Sequence, residues 1–144
     1  MSWREIRPVA LAAVRRENGE VLVAEHEDPD EDEPFYRFVG GGIEFGEHSR
    51  DAVVREFREE LDVTLTNVSH CGTYERTFTF GDERSHEIWR VFEGDIAEEW
   101  PYERERFEGH EPEFNETFEV TWMAPDRLRN DVTFYDPVVL DGLD

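Results

Sequence analysis

Residues 41–63 read GGIEFGEHSRDAVVREFREELDV, and the second half of this stretch sets the fold around it. From Ser49 to about Leu61 the pattern is helical, with Val53, Val54, Phe57 and Leu61 on one face and Ser49 placed as an N-cap. Glu56, Glu59 and Glu60 are spaced i, i+3, i+4 and share another face. Three carboxylates on one stripe repel one another, and that cost points to a cation among them. Glycines at 40–42, just upstream, let a backbone carbonyl approach a metal without a Cβ in the way. Arg55 can pair with a neighbouring glutamate and hold its rotamer. An acidic chain places Glu on many surfaces, but that alone does not require Gly41, Glu47 and Arg55 at these spacings.

Working outward, the flanks read as strands. Val9–Val14 and Val21–Ala24 surround Asn18-Gly19 and predict a hairpin. Residues 27–34, EDPDEDEP, hold six acids and two prolines and read as an exposed loop. Phe35–Val39 is a short strand leading into the glycines. Beyond the helix, Thr73–Phe80 and Glu87–Phe92 flank a turn at residues 81–84 and predict a second, long hairpin. Residues 93–117 are polar and acidic with little periodicity, which predicts a long loop and a seat for specificity. Phe118–Met123 is a strand, Pro125–Leu128 opens a short helix, and Asp136–Leu143 packs as a last short helix.

Composition bounds the class. The chain has 144 residues, the length of a single domain over 1–144. Hydrophobic residues make up 38% and aromatics 13%, which excludes disorder as the main state. No apolar run reaches the ~20 residues that span a bilayer, and the N-terminus reads as a strand and not as a leader. One cysteine, Cys71, excludes an internal disulfide and a Cys-rich zinc site. These features predict a soluble, cytoplasmic protein. There are 37 acidic residues against 15 basic ones, all of them Arg, for a net charge of −22. Such repulsion opposes a compact state in dilute buffer and is screened in molar salt. The combination resembles proteins of halophiles. With no basic patch to neutralise phosphates, a nucleic-acid polymer is excluded as partner.

The stretch also resembles the signature of the Nudix hydrolase superfamily: Gly, five residues, Glu, seven residues, then Arg-Glu-apolar-x-Glu-Glu-x-Gly-apolar. Gly41, Glu47, Arg55, Glu56, Phe57, Glu59, Glu60 and Val63 match, and only Asp62 replaces the expected Gly. Chance agreement at eight places is about one in ten thousand over the chain, so accident is a poor explanation. Asp62 stands where a helix-ending residue turns left-handed, a conformation Asp tolerates better than most.

The resemblance implies an α/β protein, an α/β/α sandwich with a mixed sheet and a catalytic loop-helix-loop. It also implies Mg2+, with Mn2+ as a substitute, held by Glu56, Glu59, Glu60 and the carbonyl of Gly40. Glu47 would stand near the metal, Arg55 would order the glutamates, and a further acid from a later loop would complete the site. Glu116 is the first choice for that acid, with Glu111, Glu113 and Glu119 behind it, and Glu56 is the next candidate for general base. The implied activity is hydrolysis of the diphosphate linkage in a nucleoside diphosphate joined to a group X. The alternative is a nucleotide-sensing module of the same fold that does not hydrolyse. Many members are dimers, so a homodimer is an open assembly.

Other residues admit two readings. His86 and Glu87 could contact substrate or be structural, and Arg37 could bind a phosphate or pair with a Glu. Phe35, Tyr36 and Trp3 could stack on a base or pack. Nothing near Cys71 in the sequence would activate it as a nucleophile.

Overall fold

In the computed structural model, which describes residues 4–143, every residue from Val9 to Val14 is buried. These residues belong to strand β1 (Ile6–Val14), and their side chains alternate between two cores. Val9, Leu11 and Ala13 enter one core and Ala10, Ala12 and Val14 the other, so both faces of the strand are apolar. β2 (Val21–His26) divides in the same way, with Leu22 and Ala24 on one side and Val21 and Val23 on the other.

The remaining elements are β3 (Phe35–Arg37), β4 (Val39–Gly42), α1 (Ser49–Leu61), β5 (Leu65–Phe80) and β6 (Glu83–Ile96), then β7 (Arg106–Glu111), β8 (Glu116–Met123), α2 (Pro125–Asn130) and β9 (Thr133–Phe134). One sheet has the order β4-β1-β6-β5, with β1 parallel to β6 and antiparallel to β4. The other runs β7-β8-β2-β3-β9, antiparallel except for the parallel pair β3 and β9. Helix α1 buries Ala52, Val53, Phe57 and Leu61 in the first core, beside Ala10 and Ala12. Leu128 of α2, with Val139 and Leu140 of a 3-10 helix over Pro137–Gly142, closes the second core. The architecture is the expected α/β/α arrangement, built on two mixed sheets. Among the described residues, no helix is long and apolar enough to cross a membrane.

Three local expectations are corrected. The Asn18-Gly19 turn forms, with the Gly19 N–H donating to the Arg16 carbonyl at 2.9 Å, but β1 and β2 do not make a hairpin ladder. Both edges of β1 are taken by β4 and β6, so after one bridge, Arg15 to Val21, the chain crosses into the other sheet. Residues 93–117 are not one long loop: β6 continues to Ile96, a 3-10 helix covers Trp100–Glu103, and β7 pairs along β8. β7 lies at a sheet edge, so only Phe107 and Gly109 are buried, Arg106 and Glu108 face water, and Glu111 at its end is half-buried. At the start of α1 the N-cap is His48 and not Ser49, with no side-chain cap bond. The Ser49 hydroxyl instead accepts from Arg90 Nε at 3.3 Å. At the other end Asp62 adopts the left-handed conformation, φ 55 and ψ 43, and its N–H donates to the Arg58 carbonyl.

Candidate active site

Packing of α1 decides which of its glutamates are buried. Val53, Phe57 and Leu61 face the core, and Glu56 and Glu60, four residues apart, border that stripe. Glu56 is 9% exposed and Glu60 5%, whereas the Glu59 side chain, about 100° further round, is 44% exposed. The fold thus takes two carboxylates out of water and leaves the third at the surface.

The glycine strand makes room for them. A Cβ on Gly41 would stand 2.6 Å from the Glu56 carboxyl carbon and within 2.8 Å of both its oxygens. Gly40 has φ +154, and a Cβ there would meet the Ala10 carbonyl oxygen at 2.0 Å, so β4 lies against β1 as only glycine allows. The Gly40 carbonyl accepts from an Arg37 Nη at 3.4 Å.

Arg55 is the hub. Its Nε and one Nη donate to the two Glu47 oxygens at 2.8 and 3.0 Å, a bidentate pair. The other Nη donates to Glu56 and Glu59 at 3.1 Å each, and the Nη that holds Glu47 also donates to the Gly42 carbonyl at 3.0 Å. Hydrogen bonding to Glu47, with the charges of Glu56 and Glu47 behind it, raises the guanidinium pKa further. The same bonds hold Glu47 below its usual range. The two buried carboxyls move the other way. Burial raises Glu56, against the pull of Arg55. Burial also pushes Glu60 up to about 10; its hydrogen bond with Glu111 and the charge of Glu56 add to this, and Arg37 opposes it.

Arg55, Glu56 and Glu59 face an open groove of about 400 Å³, lined also by Gly42, Glu44 and Glu111 among others. A larger hollow of about 630 Å³ lies beside Arg15 and Arg16, but both are already paired, with Glu93 and with Glu20 and Glu105. Among the described residues, no three His, Cys, Asp or Glu side chains are gathered about one point at metal distance. The donor set nonetheless suits a hard divalent cation. It is all oxygen, two of its carboxyls are buried, and Gly41 offers no Cβ to crowd Glu56.

Glu47, Arg55, Glu56 and Glu59 are therefore brought together, Glu60 joins them through its hydrogen bond with Glu56, and Gly40 stands beside Gly41, which packs on Glu56. Glu116 is not with them: it lies exposed on β8, across the ladder from Glu111, and does not line the groove. Glu111 is the later acid that reaches Glu60. The signal for it was the inward alternation of Phe107 and Gly109, which makes residues 106–111 a strand and carries its last residue to the helix. His86 pairs with Glu75 at 2.7 Å, and Glu87 accepts from Trp89 Nε1 at 2.9 Å, so both are occupied structurally. Tyr36 is buried and donates to Glu25, while Phe35 lies against His26. Trp3 lies outside the described residues.

A family model described as a NUDIX domain matches residues 5–141. The CTP pyrophosphohydrolase of Escherichia coli (strain K12) is 32% identical over 66 residues, 46% of this chain and 49% of that protein. The chain thus spans about half the length of that relative. A crystal structure of a MutT NUDIX hydrolase from Burkholderia pseudomallei matches with TM-score 0.70 at 20% identity, covering 98% of this chain and 100% of that one. A NUDIX hydrolase from Nitrosomonas europaea matches with TM-score 0.65 at 18% identity, covering 96% and 86%. At these identities the structures speak for the fold. The signature on α1, its burial against β4 and a family match over nearly the whole described chain agree: the chain belongs to the NUDIX domain family.

Proposed function

We propose that this chain, as a single domain over residues 1–144, hydrolyses the diphosphate linkage of a nucleoside diphosphate joined to a further group. The observation that carries the reading is the pair of buried carboxyls on α1, Glu56 at the wall of an open groove and Glu60 hydrogen-bonded behind it, with Arg55 fixing Glu47 and Glu59 beside them. Glu56, Glu59, Glu60 and the Gly40 carbonyl would hold Mg2+, with Mn2+ as a substitute. When bound, the cation would offset charge on the diphosphate and ease attack by water at phosphorus. The chain's own residues do the rest. Arg55 keeps three glutamates in fixed rotamers, Gly41 lets Glu56 sit flush against the strand, and Glu111 faces Glu60 from β7. Proton removal from water falls to Glu56 or Glu111, the acids that line the groove from opposite elements.

The partial likeness to a CTP pyrophosphohydrolase makes a nucleoside triphosphate the first substrate to assay, giving a nucleoside monophosphate and pyrophosphate. The charge of −22 supports a working environment of molar salt, in which an anionic substrate meets a screened field. The same composition, with a single cysteine, supports a cytoplasmic location. The test is product formation from nucleoside triphosphates, nucleotide sugars and dinucleotides with Mg2+ in molar KCl. Turnover of one or two compounds supports the reading and names X. Ligand binding without turnover, in protein shown to be folded, would move the assignment to a nucleotide sensor.

A further inference from the structure

Five large apolar side chains are exposed among the described residues, and the two most exposed are Phe45 at 108% and Phe114 at 65%. Each sits at the apex of a tight turn. Phe45 lies inside the turn closed by the Glu47 N–H on the Glu44 carbonyl at 3.0 Å, which is tied down again by the Glu44 N–H on Glu47 Oε1. Phe114 lies inside the turn closed by the Asn115 N–H on the Pro112 carbonyl at 3.4 Å, where Asn115 takes φ 50. Turn apices favour Gly, Asn, Asp or Pro, and an exposed phenyl ring forfeits its burial there.

The neighbours of both rings line the carboxylate groove: Ile43 and Glu44 on one side, Pro112 and Glu113 on the other. On each side the groove's lining thus runs up to the residue before one of these phenylalanines, and each ring is presented to solvent from a hydrogen-bonded turn. A second copy of this chain is a poor occupant. Its acidic surface would meet Glu44, Glu59, Glu111 and Glu113 at contact distance, where even the Debye length of about 3 Å in molar salt leaves like charges opposed. A flat, uncharged π-face meets no such repulsion.

We propose that Phe45 and Phe114 form a stacking clamp that grips the nucleobase of the substrate above the groove. This rests on the hydrolase reading, because the groove is where the diphosphate would lie. Every base offers a π-face, so a clamp of this kind selects for a base without reading its identity. It adds nothing to a substrate made of phosphate alone.

The test compares wild type with Phe45→Ala, Phe114→Ala, the double variant and Phe45→Tyr/Phe114→Tyr. Turnover of cytidine and adenosine triphosphates is set beside inorganic tripolyphosphate, and calorimetric binding of cytidine and adenosine monophosphates is measured alongside. The double alanine variant is expected to raise KM for both nucleotides about 5- to 100-fold with little change in kcat. It should weaken monophosphate binding by a similar factor and leave tripolyphosphate unchanged, and the tyrosine pair should restore both. Unaltered nucleotide KM, or an equal loss with tripolyphosphate, would overturn the clamp. So would a wild-type dimer that dissociates in the alanine variants, since the rings would then be an interface. If wild type hydrolyses nothing, the hydrolase reading fails, and monophosphate binding that is indifferent to both rings removes the clamp as well.

Discussion

Replacing Gly41 with Ala perturbs Glu56 and little else. The added Cβ would meet the Glu56 carboxyl at 2.6–2.8 Å, and reaching the 3.4 Å of an ordinary contact moves that carboxyl by about 0.8 Å. Gly41 is not among the residues with positive φ, so Ala fits its backbone conformation. Lost chain entropy in the unfolded state even favours Ala by about 0.4–1 kcal/mol. The atoms that must yield are the end of one side chain, so stability should change by no more than about 1 kcal/mol. Activity should respond much more, since a misplacement of about 1 Å in a reacting constellation can cost about 100-fold. Gly40→Ala provides the contrast. Its Cβ would strike the backbone oxygen of Ala10 at 2.0 Å, at a φ of +154 that Ala avoids, so it should lower the thermal midpoint sharply. The assay is thermal unfolding by circular dichroism beside kcat/KM in molar KCl with Mg2+. Gly41→Ala with a wild-type midpoint and wild-type kcat/KM would refute the reasoning, because the position of Glu56 would then not matter.

Three further expectations follow from other parts of the molecule. Burial, and then the charge of Arg37, push the His26 imidazole from 6.5 down to about 4. With the folded value below the unfolded one, its stability contribution is complete above pH 6.5 and is lost as pH falls toward 4, a ceiling of about 3 kcal/mol. His26→Phe should flatten denaturation midpoints across that window, and an unchanged slope would contradict this. Mg2+ at a hundred times its Kd should stabilise the chain by about 2.7 kcal/mol, roughly 5–10 °C in midpoint. Glu60→Gln should lose most of that gain; the same gain in the variant would remove Glu60 from the cation site. Raising KCl from about 0.1 to 1 M shortens the Debye length from about 10 to 3 Å, so the midpoint should climb steeply with salt. A midpoint indifferent to salt would contradict the high-salt reading.

What the sequence made legible was local. The span of α1, its apolar face, the left-handed turn at Asp62 and the hairpin of β5 and β6 all follow from residues close together in the chain. The Glu56, Glu59, Glu60 and Arg55 cluster is readable for the same reason, since six consecutive residues of one helix carry all four. Long-range pairing was hidden. The Asn18-Gly19 turn is a good hairpin signal, yet the occupied edges of β1 overrule it, and no local pattern reports which edges are free. β7 looked like loop because an edge strand in an acidic protein buries only Phe107 and Gly109. For the same reason the sequence favours Glu116 over Glu111: the two face each other across one ladder, and only the strand register shows which reaches the helix. The burial of Glu60 against Glu56 depends on how α1 rolls on its sheet, which spacing alone does not fix.

The most direct measurement is turnover of a nucleoside triphosphate by wild type and by Glu59→Gln, with Mg2+ in molar KCl and both proteins shown to be folded. Glu59 is exposed and, among the described residues, pairs with Arg55 alone, so the variant should fold as wild type does. Release of nucleoside monophosphate and pyrophosphate by wild type, falling at least about 100-fold in the variant, is the expected result. Equal turnover in the two proteins would contradict the assignment of the α1 glutamates to the chemistry.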